Sequence, residues 1–137
     1  MAKSQQLNFT QNLRFGANTI AAADTTTAKL LYTGNTDGSV VKSIVVTSYD
    51  TSARILQLYA NTGGTYFLLG SAAVPAGSGA NGTVATVDFL SSTFNPATPY
   101  DANGKRVLPL PAGLSIYANS TATVANTIFI TVFAEDY

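Results

Sequence analysis

Asn126-Thr127-Ile128-Phe129-Ile130-Thr131-Val132-Phe133-Ala134 alternates for nine residues without a break, and its reading decides the fold. A β-strand sends successive side chains to opposite faces, so Ile128, Ile130, Val132 and Ala134 line one side and Thr127, Phe129, Thr131 and Phe133 the other. The first set is wholly apolar and belongs against a core. The second, threonine and phenylalanine, suits a surface covered by something more than water, which makes Phe129 and Phe133 candidate interface residues.

Shorter stretches of the same kind precede it. Ala17 to Ala23 and Ala28 to Thr33 read as short strands around the polar, β-branched Asp24-Thr25-Thr26-Thr27, which disfavours helix. Gly34-Asn35-Thr36-Asp37-Gly38 is the strongest turn signal, because Asp-Gly supplies the positive φ of a tight reversal, and it predicts a hairpin. Val40 to Tyr49 is a long strand with Val41 and Val45 on one face and Ile44 and Val46 on the other; Lys42 and Ser43 lie nearer solvent. After Asp50-Thr51-Ser52, Ala53 to Ala60 places Leu56 and Leu58 on one face and Ile55, Gln57 and Tyr59 on the other. Asn61-Thr62-Gly63-Gly64 reverses the chain into Thr65 to Val74. A glycine-rich loop over 75–82 then leads to Thr83 to Leu90, with Val84, Val87 and Phe89 as buried candidates.

Ser91 to Arg106 is the longest irregular segment, and its aromatic residues Phe94 and Tyr100 are the second pair of candidate interface residues. Val107 to Gly113 carries two prolines, which cannot donate to a ladder, so it belongs at an edge or a turn; Leu114 to Asn119 is the penultimate strand. Residues 1–16, with Leu7, Phe9, Leu13 and Phe15, read either as a first edge strand or as an extended arm. About eight short strands at roughly ten-residue spacing, without helical periodicity, predict one all-β domain over 1–137. Its expected form is an antiparallel two-sheet sandwich of the jelly-roll type.

Composition narrows the chemistry. The chain has no cysteine and no histidine, which removes disulfides, thiol nucleophiles, serine triads and ordinary zinc sites. Seven basic and seven acidic residues cancel, and no basic cluster exceeds Lys105-Arg106, so no nucleic-acid partner is expected. No apolar run approaches the roughly 18 residues of a membrane helix, so no membrane partner is expected either. Gly77-Ser78-Gly79-Ala80-Asn81-Gly82 spells the dinucleotide fingerprint, but strand-like Thr83-Val84-Ala85-Thr86-Val87 follows where a helix is required. No calcium loop is present, and neither a cofactor nor a metal is expected. A glycosidase needs only two carboxylates, for which mid-strand Asp88 is the candidate; a solvent-facing strand residue is the plainer reading.

Three stretches carry a resemblance: Val45-Val46-Thr47-Ser48-Tyr49-Asp50-Thr51-Ser52-Ala53-Arg54 with Leu56-Gln57-Leu58-Tyr59, then Leu108-Pro109-Leu110-Pro111-Ala112-Gly113, then Ile130-Thr131-Val132-Phe133-Ala134-Glu135-Asp136-Tyr137. With them the chain resembles the capsid decoration, or cement, proteins of tailed bacteriophages, which have jelly-roll folds. That resemblance implies a virion protein on the capsid surface, made in the bacterial host cytoplasm. It would bind the major capsid protein and cement neighbouring capsid subunits, without enzymatic turnover and without catalytic residues. The alternative is a carbohydrate-binding, lectin-like sandwich that stacks sugars on some of the seven tyrosines. Charged residues are only 10% of the chain against about 25% in an average protein, so a surface patch can be desolvated at low electrostatic cost. A homo-oligomer is therefore expected, with a dimer favoured, covered at Phe129 and Phe133 or at Phe94 and Tyr100.

Overall fold

The computed structural model describes residues 12–90 and 98–137. Among the described residues nine strands are formed: β1 Asn12–Ile20, β2 Lys29–Thr33, β3 Ser39–Ser48, β4 Arg54–Thr62, β5 Thr65–Val74, β6 Val87–Asp88, β7 Leu108–Leu110, β8 Ser115–Ser120 and β9 Ile128–Asp136. One sheet runs β1-β9-β3-β6, with β7 also on β3; the other runs β2-β8-β4-β5. Every pairing is antiparallel. Each connection except β4 to β5 and β6 to β7 crosses between sheets, which is the jelly-roll winding. The ninth strand, beyond the eight expected, is the short β7.

The closing strand sits as its alternation requires. β9 lies between β1 and β3, with Ile128, Ile130, Val132 and Ala134 buried in one core with Leu56, Leu58 and Ile116 of the other sheet. In β3 the register slips between Val41 and Ser43, and this bulge turns Val41 to the same side as Ile44 and Val46; all three are fully buried. Strict alternation would have put Val41 on the opposite face from them.

Several local expectations need correction. The turn at Gly34 to Gly38 forms, closed by the Gly38 N–H donating to the Asn35 carbonyl at 2.9 Å with φ +91° at Gly38. It makes no hairpin, because β2 pairs with β8 and β3 with β9, so the turn carries the chain from one sheet to the other. Ala17 to Ala23 is no separate strand. It is the end of β1 followed by a single 3-10 turn at Ala22–Asp24, where the Asp24 carboxylate accepts from the Ala21 N–H and from Lys29. Thr83 to Leu90 shrinks to the two residues of β6, since the Asn81 side chain takes the N–H groups of Thr83 and Val84 out of any ladder. Of the segment 1–16, the part from Asn12 is an edge strand; the rest lies outside the described residues.

Gly63 and Gly64, both at positive φ, close the β4–β5 hairpin in two residues. Gly16 is needed for a different reason, because β1 passes hard against β2. An alanine Cβ there would stand 2.5 Å from the Leu31 carbonyl oxygen. Since backbone must move to admit it, Gly16→Ala is expected to cost about 1–3 kcal/mol, read from the urea midpoint at unchanged slope.

Two buried carboxylates tie the sandwich together. Asp136, at the end of β9, accepts from Tyr32 Oη and Ser39 Oγ at 2.6 Å each and from Arg14 Nε at 2.7 Å, which joins β1, β2, β3 and β9. Asp50, between β3 and β4, accepts from Arg54 Nε at 2.7 Å and from the Ser52 and Ala125 N–H groups at 3.1 Å. Burial pushes both carboxyls up, but these hydrogen bonds outweigh it and hold both below the usual carboxylate range.

Candidate interaction surface

Opposite residues in an antiparallel pair share a face, so the register assigns the outer surface of the first sheet. Phe15 lies opposite Phe133, which lies opposite Ser43; Ala17, Thr131 and Val45 form the next row, and Thr19, Phe129 and Thr47 the one after. Phe15 and Phe133 meet edge to face at 5.8 Å, and Tyr49, just beyond β3, meets Phe129 at 5.6 Å. These pairs stay open to solvent: Phe15 is 65% exposed, Tyr49 62%, Phe133 46% and Phe129 39%. On β1, β9 and β3 the three rows contain no charged residue; Asp88 of β6 continues the middle row opposite Val45, and Glu135 and Lys42 pair with each other at 3.9 Å at the end of the sheet. Two shallow depressions flank Phe129, one of about 290 Å³ between Thr47, Tyr49 and Gly79, the other of about 230 Å³ beside Ala17, Thr19 and Thr131.

Phe129 and Phe133 thus stand on the face their alternation assigns. Phe15 and Tyr49 complete the patch and were not singled out from sequence. Phe15 alternates with Leu13 and Ala17, but only the pairing of β1 with β9 brings it to Phe133. Tyr100 is exposed elsewhere, under the Arg106 guanidinium at 4.5 Å from its ring centre, on a cleft of about 640 Å³ that also borders Lys42, Asp88 and Asp101. Phe94 lies outside the described residues.

The second sheet has an aromatic outer face too. Leu30, Tyr117, Tyr59 and Leu68 lie opposite one another in one row across all four strands. Tyr66 packs edge-on to both Tyr59 and Tyr117, at 6.1 and 5.1 Å. The Tyr59 hydroxyl donates to the Gln57 amide oxygen at 2.7 Å.

Asp88 does backbone work. Its Oδ1 accepts from the N–H groups of Ile44 at 3.1 Å and Leu90 at 2.9 Å. Asp101, in the same cleft, accepts from the Lys105 and Asn103 N–H groups, and the bond from Lys105 chiefly holds its carboxyl below the usual range. A glycosidase acid needs the reverse, a carboxyl kept protonated. Among the described residues no three His, Cys, Asp or Glu side chains gather as metal ligands, and no helix is long and apolar enough to cross a membrane. Compared with family models, curated proteins and solved structures, the chain matches none.

Proposed function

We propose that this protein is a structural component of a phage particle, docking on the outside of the capsid and bridging neighbouring subunits. The observation that carries the docking is the uncharged three-row patch on the outer face of β1-β9-β3, where two exposed ring pairs ride on a hydrogen-bonded sheet. Aromatic residues held rigid lose little entropy on binding and are favoured anchors at protein interfaces. The step from docking to capsid rests on the resemblance, whose three stretches supply β3 and β4, β7, and β9, strands of both sheets. Mass spectrometry of purified particles from the genome that encodes the chain is expected to find it at a copy number comparable to the major capsid protein. Its absence from intact particles would overturn the reading.

The second reading, a glycan-binding module, has Tyr59, Tyr66 and Tyr117 beside the Gln57 amide in its favour. It ranks lower because edge-on packing leaves little flat ring surface for a sugar to stack on. Retention on a glycan array that is lost with Tyr66→Ala would promote it.

A further inference from the structure

The two sheets end in edges that are not equally protected, and unpaired edges invite another strand. β2 has five residues and a bulge between Leu30 and Tyr32. It is crossed by β1: Asn18 Nδ2 donates to the Leu30 carbonyl at 2.8 Å, and Gly16 rides on that of Leu31. β1 itself carries Arg14. β6 and β7 are two and three residues long, and β7 contains Pro109. β5 has none of these defences except a bulge at Leu69. It is ten residues long, Thr65-Tyr66-Phe67-Leu68-Leu69-Gly70-Ser71-Ala72-Ala73-Val74, with neither a charge nor a proline. Among the described strands only β4 pairs with it, and Tyr66, Phe67 and Leu68 are each about half exposed.

We infer that β5 is an assembly edge, on which the β5 of a second copy pairs antiparallel about a two-fold axis to join two sheets into one. A strand meeting itself antiparallel satisfies that symmetry automatically. Its neutrality matters, because a charged residue in β5 would oppose its own kind across the axis in some registers, and β5 holds none. Nothing stands within 4 Å of a Cβ built at Gly63 or Gly64, so the hairpin tip leaves the strand's end open.

Size sets the strength. Ten residues at about 3.3 Å each, in a layer about 10 Å thick, cover roughly 330 Å² per copy, under half the roughly 800 Å² of a standard interface. Alternate residues turn their N–H and C=O outward, so two such strands can exchange about ten hydrogen bonds, as many as a standard interface carries. The dimer should therefore be reversible, with a Kd in the micromolar range. It leaves both β1-β9-β3 faces free, so if the proposed capsid docking holds, one dimer presents two docking faces and gains avidity. The strand pairing does not depend on that docking.

The test uses the purified full chain alone. Light scattering coupled to size exclusion is expected to give a dimer at about 100 µM and a monomer near 1 µM, on either side of a micromolar Kd. Hydrogen exchange read by mass spectrometry over the same range should slow about ten-fold within Thr65–Val74 at high concentration, because pairing protects amides. Tyr66→Lys/Leu68→Lys should be monomeric at both concentrations with its β circular dichroism intact. A wild-type monomer at about 100 µM, a double variant that still dimerises, or concentration-dependent protection in β1 or β9 in place of β5 would each overturn the inference. Because the exchange measurement uses wild-type protein, it decides the matter even where the variant does not fold.

Discussion

Asp50→Ala is expected to lower the stability of the folded chain by about 3–5 kcal/mol, the range for removing one partner of a buried ion pair. Arg54 is only 18% exposed, so its guanidinium would be left largely out of water with no carboxylate. The Ser52 and Ala125 N–H groups would lose their acceptor with it, freeing the β3–β4 turn from the loop before β9. Small domains are stable by only about 5–15 kcal/mol, so the variant would sit near the edge of folding at room temperature. Urea unfolding followed by circular dichroism measures the loss. A cost below about 1 kcal/mol would place Asp50 among surface pairs and contradict its role.

Asp136→Ala is expected to cost about 2–4 kcal/mol. The loss is smaller because Arg14, half exposed, can turn to water, whereas the Tyr32 and Ser39 hydroxyls lose their shared acceptor inside the sandwich. The same site gives the protein an acid limit. Asp136 and Asp50 both titrate lower in the folded chain than the unfolded value of about 3.9, so their contribution is complete above that pH and is lost as pH falls through the folded values. Tyr32 runs the other way. Burial, then its bond to Asp136, raises it above the ordinary phenol value, so its share is complete below about pH 10 and lost as pH rises further. Urea midpoints across this range should therefore fall at both ends, and Asp136→Asn should flatten both slopes. Slopes identical to wild type would show that Asp136 does not carry the pH dependence.

How much of this the sequence shows depends on whether a feature is local. β9 is legible because its alternation is unbroken and its apolar face is fully buried. The turn at Asp37-Gly38 is equally legible, since positive φ at glycine is a property of one residue. Its consequence is not, because hairpin or sheet change depends on strands β8 and β9, far along the chain. The Asp136 site is illegible for the same reason: its partners Arg14, Tyr32 and Ser39 lie 122, 104 and 97 residues away. The interaction surface divides in the same manner. Phe129 and Phe133 follow from parity within one strand, while their meeting with Tyr49 and Phe15 needs the register of three. Strand β5 could be read as a strand, but its standing at an undefended edge comes only from the sheet order.

Rebinding tests the docking account most directly. Particles lacking the chain are mixed with purified wild-type protein or with Phe129→Lys/Phe133→Lys, then sedimented, and the bound protein is counted against the major capsid protein. The account predicts saturable binding of the wild type and affinity at least about ten-fold weaker for the variant, with its β circular dichroism unchanged. Wild-type protein that stays in the supernatant, or a variant that sediments equally well, would contradict it.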